Sequence, residues 1–129
     1  SGWHDQGGPE INSMHRYVVP VTPRRNDGRI FVVSEYGGYS RIVSDHTWDE
    51  SKSFGYMMYK TKESLSKAYK NLHERQIIPL IDKGLSATVY TQVSDVENEV
   101  NGIMTYDREH IKIDEEVLID INNKLTIMK

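Results

Sequence analysis

An α/β fold with a parallel sheet is what this sequence predicts, from three observations. Ile30-Phe31-Val32-Val33 is an apolar run without alternation, as expected of a strand covered on both faces. Leu65, Ala68, Tyr69 and Leu72 recur at i, i+3, i+4 and i+7, which makes one stripe of a helix. The order of elements (strand, strand, long loop, helix, strand, helix) is the alternation that βα units produce.

Residues 1–10 read as a Gly- and Pro-rich loop carrying Trp3, His4 and Asp5. A strand is expected from Ile11 to about Tyr17, closed by Val18-Val19-Pro20. The segment from Pro20 to Arg29 contains the turn signal Asn26-Asp27-Gly28 and is short for a crossover helix. The second strand, from Ile30, ends in Glu35-Tyr36 and is stopped by Gly37 and Gly38.

Tyr36 to Thr61 is long, lacks a period and is aromatic, so it is expected to be an ordered functional loop. A helix follows, with Thr61 or Ser64 as N-cap. Ile77, Ile78, Leu80 and Ile81 extend its apolar surface, and Lys83-Gly84 closes it. Pro79 lacks an N–H and should kink or split it near Gln76. Leu85 to Gln92 is β-rich and reads as the next strand. Ser94 to Gly102 reads as an acidic loop or short helix. Asp114 to about Lys124 reads as a last amphipathic helix with Val117, Leu118, Ile121 and Leu125 on its apolar side.

With 129 residues the chain suits one domain, which buries about two thirds of the surface its unfolded form exposes. Sixteen Lys and Arg stand against nineteen Asp and Glu, so no basic nucleic-acid surface is indicated. No apolar run approaches the roughly 20 residues that span a bilayer. The absence of cysteine removes disulfides and thiolate metal sites. No signal-peptide pattern is visible from Ser1 onward, and there is no internal repeat.

Glu35 is the first candidate for chemistry. A carboxylate at the C-terminal end of a buried parallel strand sits where α/β folds open into their ligand crevice. Holding it beside a core is costly unless it is paired or used. The competing reading is a loop glutamate that caps a turn.

Several segments together carry a resemblance: Ser1-Gly-Trp-His-Asp5, Ser13-Met-His-Arg-Tyr17, Val33-Ser-Glu-Tyr-Gly-Gly38 and His46-Thr-Trp48, followed by the block from Gly84 to Gly102 that runs on to Thr105-Tyr-Asp-Arg108. In this order they resemble glycoside hydrolase family 2, the family of β-galactosidases and β-glucuronidases. The resemblance implies a partial TIM (β/α)8 barrel, from the end of strand five through strand eight and its helix. A whole barrel takes about 250 residues, roughly 31 per βα unit, so this chain holds about four units. It also implies that Glu35 is the nucleophile at the end of strand seven of a retaining enzyme acting on terminal β-glycosides, with no cofactor.

Retaining glycosidases place two carboxyls about 5–5.5 Å apart. In the family the acid/base Glu follows an Asn at the end of strand four. The one Asn-Glu pair in this sequence, Asn98-Glu99, falls after the eighth strand and does not fit. The expectation is therefore a piece that lacks its acid/base, is inactive alone and is completed by the N-terminal half of the barrel. The family's metal site uses upstream residues, so no metal is expected here. Open sheet edges make a homo-oligomer the expected state of the isolated piece.

Tyr17 matches the family's strand-six tyrosine, whose hydroxyl donates to the nucleophile; its other reading is a tyrosine at the edge of the core. Alternation puts His15 on the same face as Tyr17. Tyr90 and Gln92 share a face at the end of strand eight and are expected to contact substrate. The family commonly carries a Trp near Tyr90, so tyrosine is a departure that weakens stacking. Trp3 and Trp48 offer flat rings to a pyranose, or else pack loops. Asp95, Glu97 and Glu99 lack the spacing of a calcium-binding hand and read as a solvated or capping cluster. The alternative function is a non-catalytic α/β module that binds carbohydrate or a partner chain.

Overall fold

A computed structural model describes residues 2–5, 7–8, 10–22 and 28–126. It is a mixed α/β structure with a parallel sheet. Strands β1 (Ile11–Arg16), β2 (Ile30–Gly37) and β5 (Leu85–Thr91) pair in the order β1-β2-β5, both pairs parallel. A second parallel pair joins β3 (Tyr39–Ser40) to β4 (Met57–Met58) within the long loop. Of the turn signal before β2, Asn26 and Asp27 lie outside the described residues.

Helix α1 (Lys62–Leu72) begins at Thr61. The Thr61 side chain accepts from the Ser64 N–H at 3.1 Å, and the Ser64 hydroxyl accepts from the Thr61 N–H at 3.2 Å. The two candidate caps thus form one capping box, which satisfies two end donors at once. Pro79 has the expected effect. Residues His73–Ile77 widen into a π-helical turn, and the Ile78 N–H bonds back to the His73 carbonyl, before a short helix α2 (Ile78–Ile81). Proline cannot donate within the helix, and its ring needs the room the wider turn provides. Helix α3 (Glu115–Leu125) follows, with Asp114 at its N-cap.

These helices cover one face of the sheet. Val33, Tyr36, Leu72, Ile77, Leu80 and Leu85 form one buried cluster; Leu65, Tyr69, Ile113 and Ile121 form the other, and Leu125 packs on both. Among the described residues no helix is long and apolar enough to cross a membrane.

Ser94 to Gly102 is a loop, folded back on itself by paired backbone hydrogen bonds between Val96 and Glu99. The solvated reading of its acidic residues fails at Asp95, which is buried. Asp95 Oδ1 accepts from Lys112 Nζ at 2.6 Å and from the Gly102 N–H at 2.7 Å. Lys112 Nζ also donates to the Val100 and Arg41 carbonyls, at 2.9 and 3.1 Å. Burial pushes the Asp95 carboxyl up and the Lys112 ammonium down, and each partner's charge opposes the other's shift. The pair pins the loop after β5 from inside.

Candidate active site at the end of the second strand

The register around Glu35 decides which way it faces. Met14 pairs with Val33 and His15 with Glu35, so β1 skips Ser34. On the other side Thr88 pairs with Val33 and Tyr90 with Tyr36, so β5 also spends one residue fewer than β2. Strand β2 therefore bulges at Ser34-Glu35. Strict alternation would put Glu35 on the face of Val33, under the helices. The extra residue returns Tyr36 to that face and sends Glu35 to the other. Bulges re-aim side chains in this way beside functional sites.

On the open face, Tyr17 Oη lies 2.9 Å from Glu35 Oε2 and 3.0 Å from Thr91 Oγ1. A phenol has one hydrogen. Donating it to the carboxylate, Tyr17 accepts the Thr91 hydroxyl proton, which makes a relay Thr91→Tyr17→Glu35. Burial pushes the Tyr17 phenol up to about 12; donation from Thr91 opposes this, and the Glu35 charge adds to it. Tyr17 thus remains a donor across the physiological range. His15 Nδ1 stands 3.3 Å from the same oxygen. That is ion-pair distance, but the angle is poor and no hydrogen bond forms. Both contacts fall on Oε2, and the Glu35 side chain is 42% exposed.

Aromatic rings frame this carboxylate. Trp3, about half exposed, sets its ring edge-on to His15 at 5.3 Å and stacks on Tyr17 at 6.1 Å. Tyr56 stacks on Tyr17 at 4.2 Å and 9°, and Phe54 meets Tyr56 edge-on. Gly38 makes this stack possible: at φ +65° a Cβ there would sit 2.6 Å from the Tyr56 ring and 3.0 Å from Tyr17.

Tyr17 and His15 are thus brought to Glu35, and Trp3 lies against the rings of both. Tyr90 is not. It pairs with Tyr36 and faces the helices, where its ring packs edge-on against Tyr36 at 5.5 Å and Tyr69 at 5.1 Å. Its hydroxyl is buried with no well-aligned partner; the Tyr39 backbone approaches it, and burial holds the phenol far above its ordinary range. The expected substrate contact of Tyr90 is corrected to core packing, because the strand's phase puts Thr91 on the Glu35 face. Gln92 Nε2 donates to Asn101 Oδ1 at 2.7 Å and so braces the loop after β5. Trp48 packs edge-on against Tyr106 at 5.7 Å, and its described ring contacts do not include the Glu35 group.

Sequence reasoning missed Thr91 and Tyr56. The alternation that selected Tyr90 and Gln92 would have found Thr91 had the phase been set the other way. Tyr56 gave no periodic signal, since its loop has none.

Behind Glu35 the sheet is closed. His73 Nδ1 donates to the Tyr69 carbonyl at 2.8 Å, which leaves Nε2 bare to accept the Tyr36 hydroxyl at 2.8 Å. Gly37, at φ +91°, lies so close to Tyr90 that a Cβ would come within 2.2 Å of the ring. A cavity of about 200 Å³ lies elsewhere, lined by Ile81, Leu85, Ser86, Ala87, Thr88 and Leu125 along the free side of β5.

A half-exposed carboxylate with one oxygen anchored by a phenol, set among flat rings, has the equipment of a nucleophile or an electrostatic stabiliser facing a polyol. No protein-family model and no curated protein matches this chain.

Proposed function

We propose that Glu35 is the nucleophile of a retaining glycoside hydrolase resembling family 2, and that this chain is the nucleophile-bearing part of its (β/α)8 barrel. The observation that carries the reading is the anchored, half-exposed carboxylate at a parallel strand end, with Tyr17 Oη 2.9 Å from Oε2. In the reaction a Glu35 oxygen attacks the anomeric carbon of a terminal β-glycoside, and the bond to the leaving oxygen breaks to give a glycosyl ester. Water then releases the sugar and frees the carboxylate. Tyr17 holds the attacking carboxylate in place by donating to Oε2, and Trp3 and Tyr56 offer stacking surface to the pyranose.

The described contacts of Glu35 are to Tyr17 and His15, and neither replaces the second carboxyl that protonates the leaving oxygen. That group belongs, on this reading, to the N-terminal barrel half, and the chain alone is inactive on unactivated glycosides. The open side of β5, beside the cavity of about 200 Å³, is where the rest of the barrel would pack. In its absence the free strand edges favour self-association.

The test is turnover of an aryl β-glycoside by the full-length parent and its Glu35→Gln variant. A loss of at least about 10³-fold is expected for removal of a nucleophile. Near wild-type turnover by the variant would leave the binding-module reading in its place.

A further inference from the structure

A second constellation of ionisable side chains lies outside the Glu35 site, between the loop that follows β3 and the turn that precedes α3. His46 and His110 are 64 residues apart, yet their Nε2 atoms meet at 2.9 Å. His46 Nδ1 lies 2.7 Å from Asp107 Oδ2, and 3.8 Å from Glu109 Oε2. Asp107 is itself held by the Thr105 hydroxyl and by the Glu109 N–H at 3.1 Å. Held in this way, Asp107 presents Oδ2 to the His46 ring as a fixed acceptor that orients it.

The tautomers follow from these contacts. His46 Nδ1–H donates to Asp107, so His46 Nε2 carries a lone pair, and His110 Nε2–H donates to it. The proton between the two rings stands where an electrophile could take its place. One ligand atom each from His46, His110 and Glu109 falls within a sphere of mutual distances below 4.8 Å. Tetrahedral zinc with Zn–N of about 2.0–2.1 Å needs its ligand atoms about 3.3 Å apart, within reach of small rotations of two exposed side chains. A carboxylate on the remote nitrogen of a ligating histidine is the usual outer-shell partner of such sites.

We propose that His46, Glu109 and His110 form a binding site for a divalent transition metal of the zinc class, with Asp107 as the positioning residue behind His46. Two imidazoles and one carboxylate suit such an ion, while magnesium and calcium prefer oxygen sets. The bound ion ties residues 43–47 to residues 105–110, segments that the sequence reading assigned no metal. This inference does not depend on the glycosidase reading.

Zinc titrated into the chelator-treated protein against a chromogenic competitor tests it. One equivalent should bind with micromolar or tighter affinity and raise the melting temperature. His110→Ala and Glu109→Gln alter exposed side chains, so the metal-free melting temperature should hold while zinc affinity falls at least about tenfold. Asp107→Asn, with the ligands intact, should weaken binding by about 10–100-fold. Absence of zinc binding to the wild-type protein, or equal affinity and thermal shift in the His110→Ala variant, would overturn the site. Magnesium or calcium binding as tightly as zinc would overturn the assignment of metal class.

Discussion

The two faces of the sheet at the end of β2 use nearly the same side chains to opposite ends. On one face Tyr17, Tyr56, His15 and Trp3 surround a half-exposed carboxylate. On the other Tyr36, Tyr90, Tyr69 and His73 pack into a dry core. Each face combines tyrosines with a histidine, and consecutive residues, Glu35 and Tyr36, belong to different faces. What separates them is access to water. The open face keeps a charge that needs solvation or substrate, and the closed face holds its histidine neutral. Composition does not distinguish a site from a core here; phase does.

The largest effect expected from breaking this contrast lies on the closed face. Tyr90→Ala should cost about 3–5 kcal/mol, since it empties a large aromatic volume beneath the helices. Glu35→Gln, on the open face, should change stability by no more than about 1 kcal/mol. Denaturant unfolding of both variants measures the difference. A stable Tyr90→Ala protein would return Tyr90 to the substrate face.

Next comes the pH response of the closed face. Burial lowers His73 from its ordinary 6.5 to about 4, against the opposing pull of the Tyr69 carbonyl. The folded pKa lies below the unfolded one, so the unfolded chain takes up the proton first. Stability from this group is complete above about pH 6.5 and declines as pH falls towards 4. The shift corresponds to about 3 kcal/mol. Unfolding free energies at pH 7 and pH 4.5 should show most of that loss, and His73→Phe should flatten it. An unchanged slope in the variant would assign the acid sensitivity to another group.

The smallest effect sharpens the open face. Tyr17→Phe removes the donor to Glu35, a hydrogen bond to a charged group worth about 1.5–3 kcal/mol. Turnover by the full-length parent should fall about 10- to 100-fold, with a stability loss no larger than the about 1.5–3 kcal/mol of that bond. A large loss of stability with unchanged turnover would make Tyr17 part of the core edge rather than of the site.

The parallel strands, the Thr61 cap, the break before Pro79 and the strand-end position of Glu35 were all legible in the sequence. Each depends on interactions within a few residues: β-branched crowding, a hydroxyl three positions from an N–H, a missing donor, two glycines that end a strand. Tertiary structure alone decided the rest. The bulge at Ser34-Glu35 exists only against both neighbouring strands, and it sets which residues share the carboxylate's face. Thr91 meets Tyr17 across 74 positions, and Tyr56 reaches the same ring from a loop without a period. Asp95, read as part of a solvated or capping cluster, is buried because Lys112, 17 residues on, comes inside to meet it. A period-two pattern carries no absolute phase, so one inserted residue exchanges the two faces, and only the paired strands fix which is which.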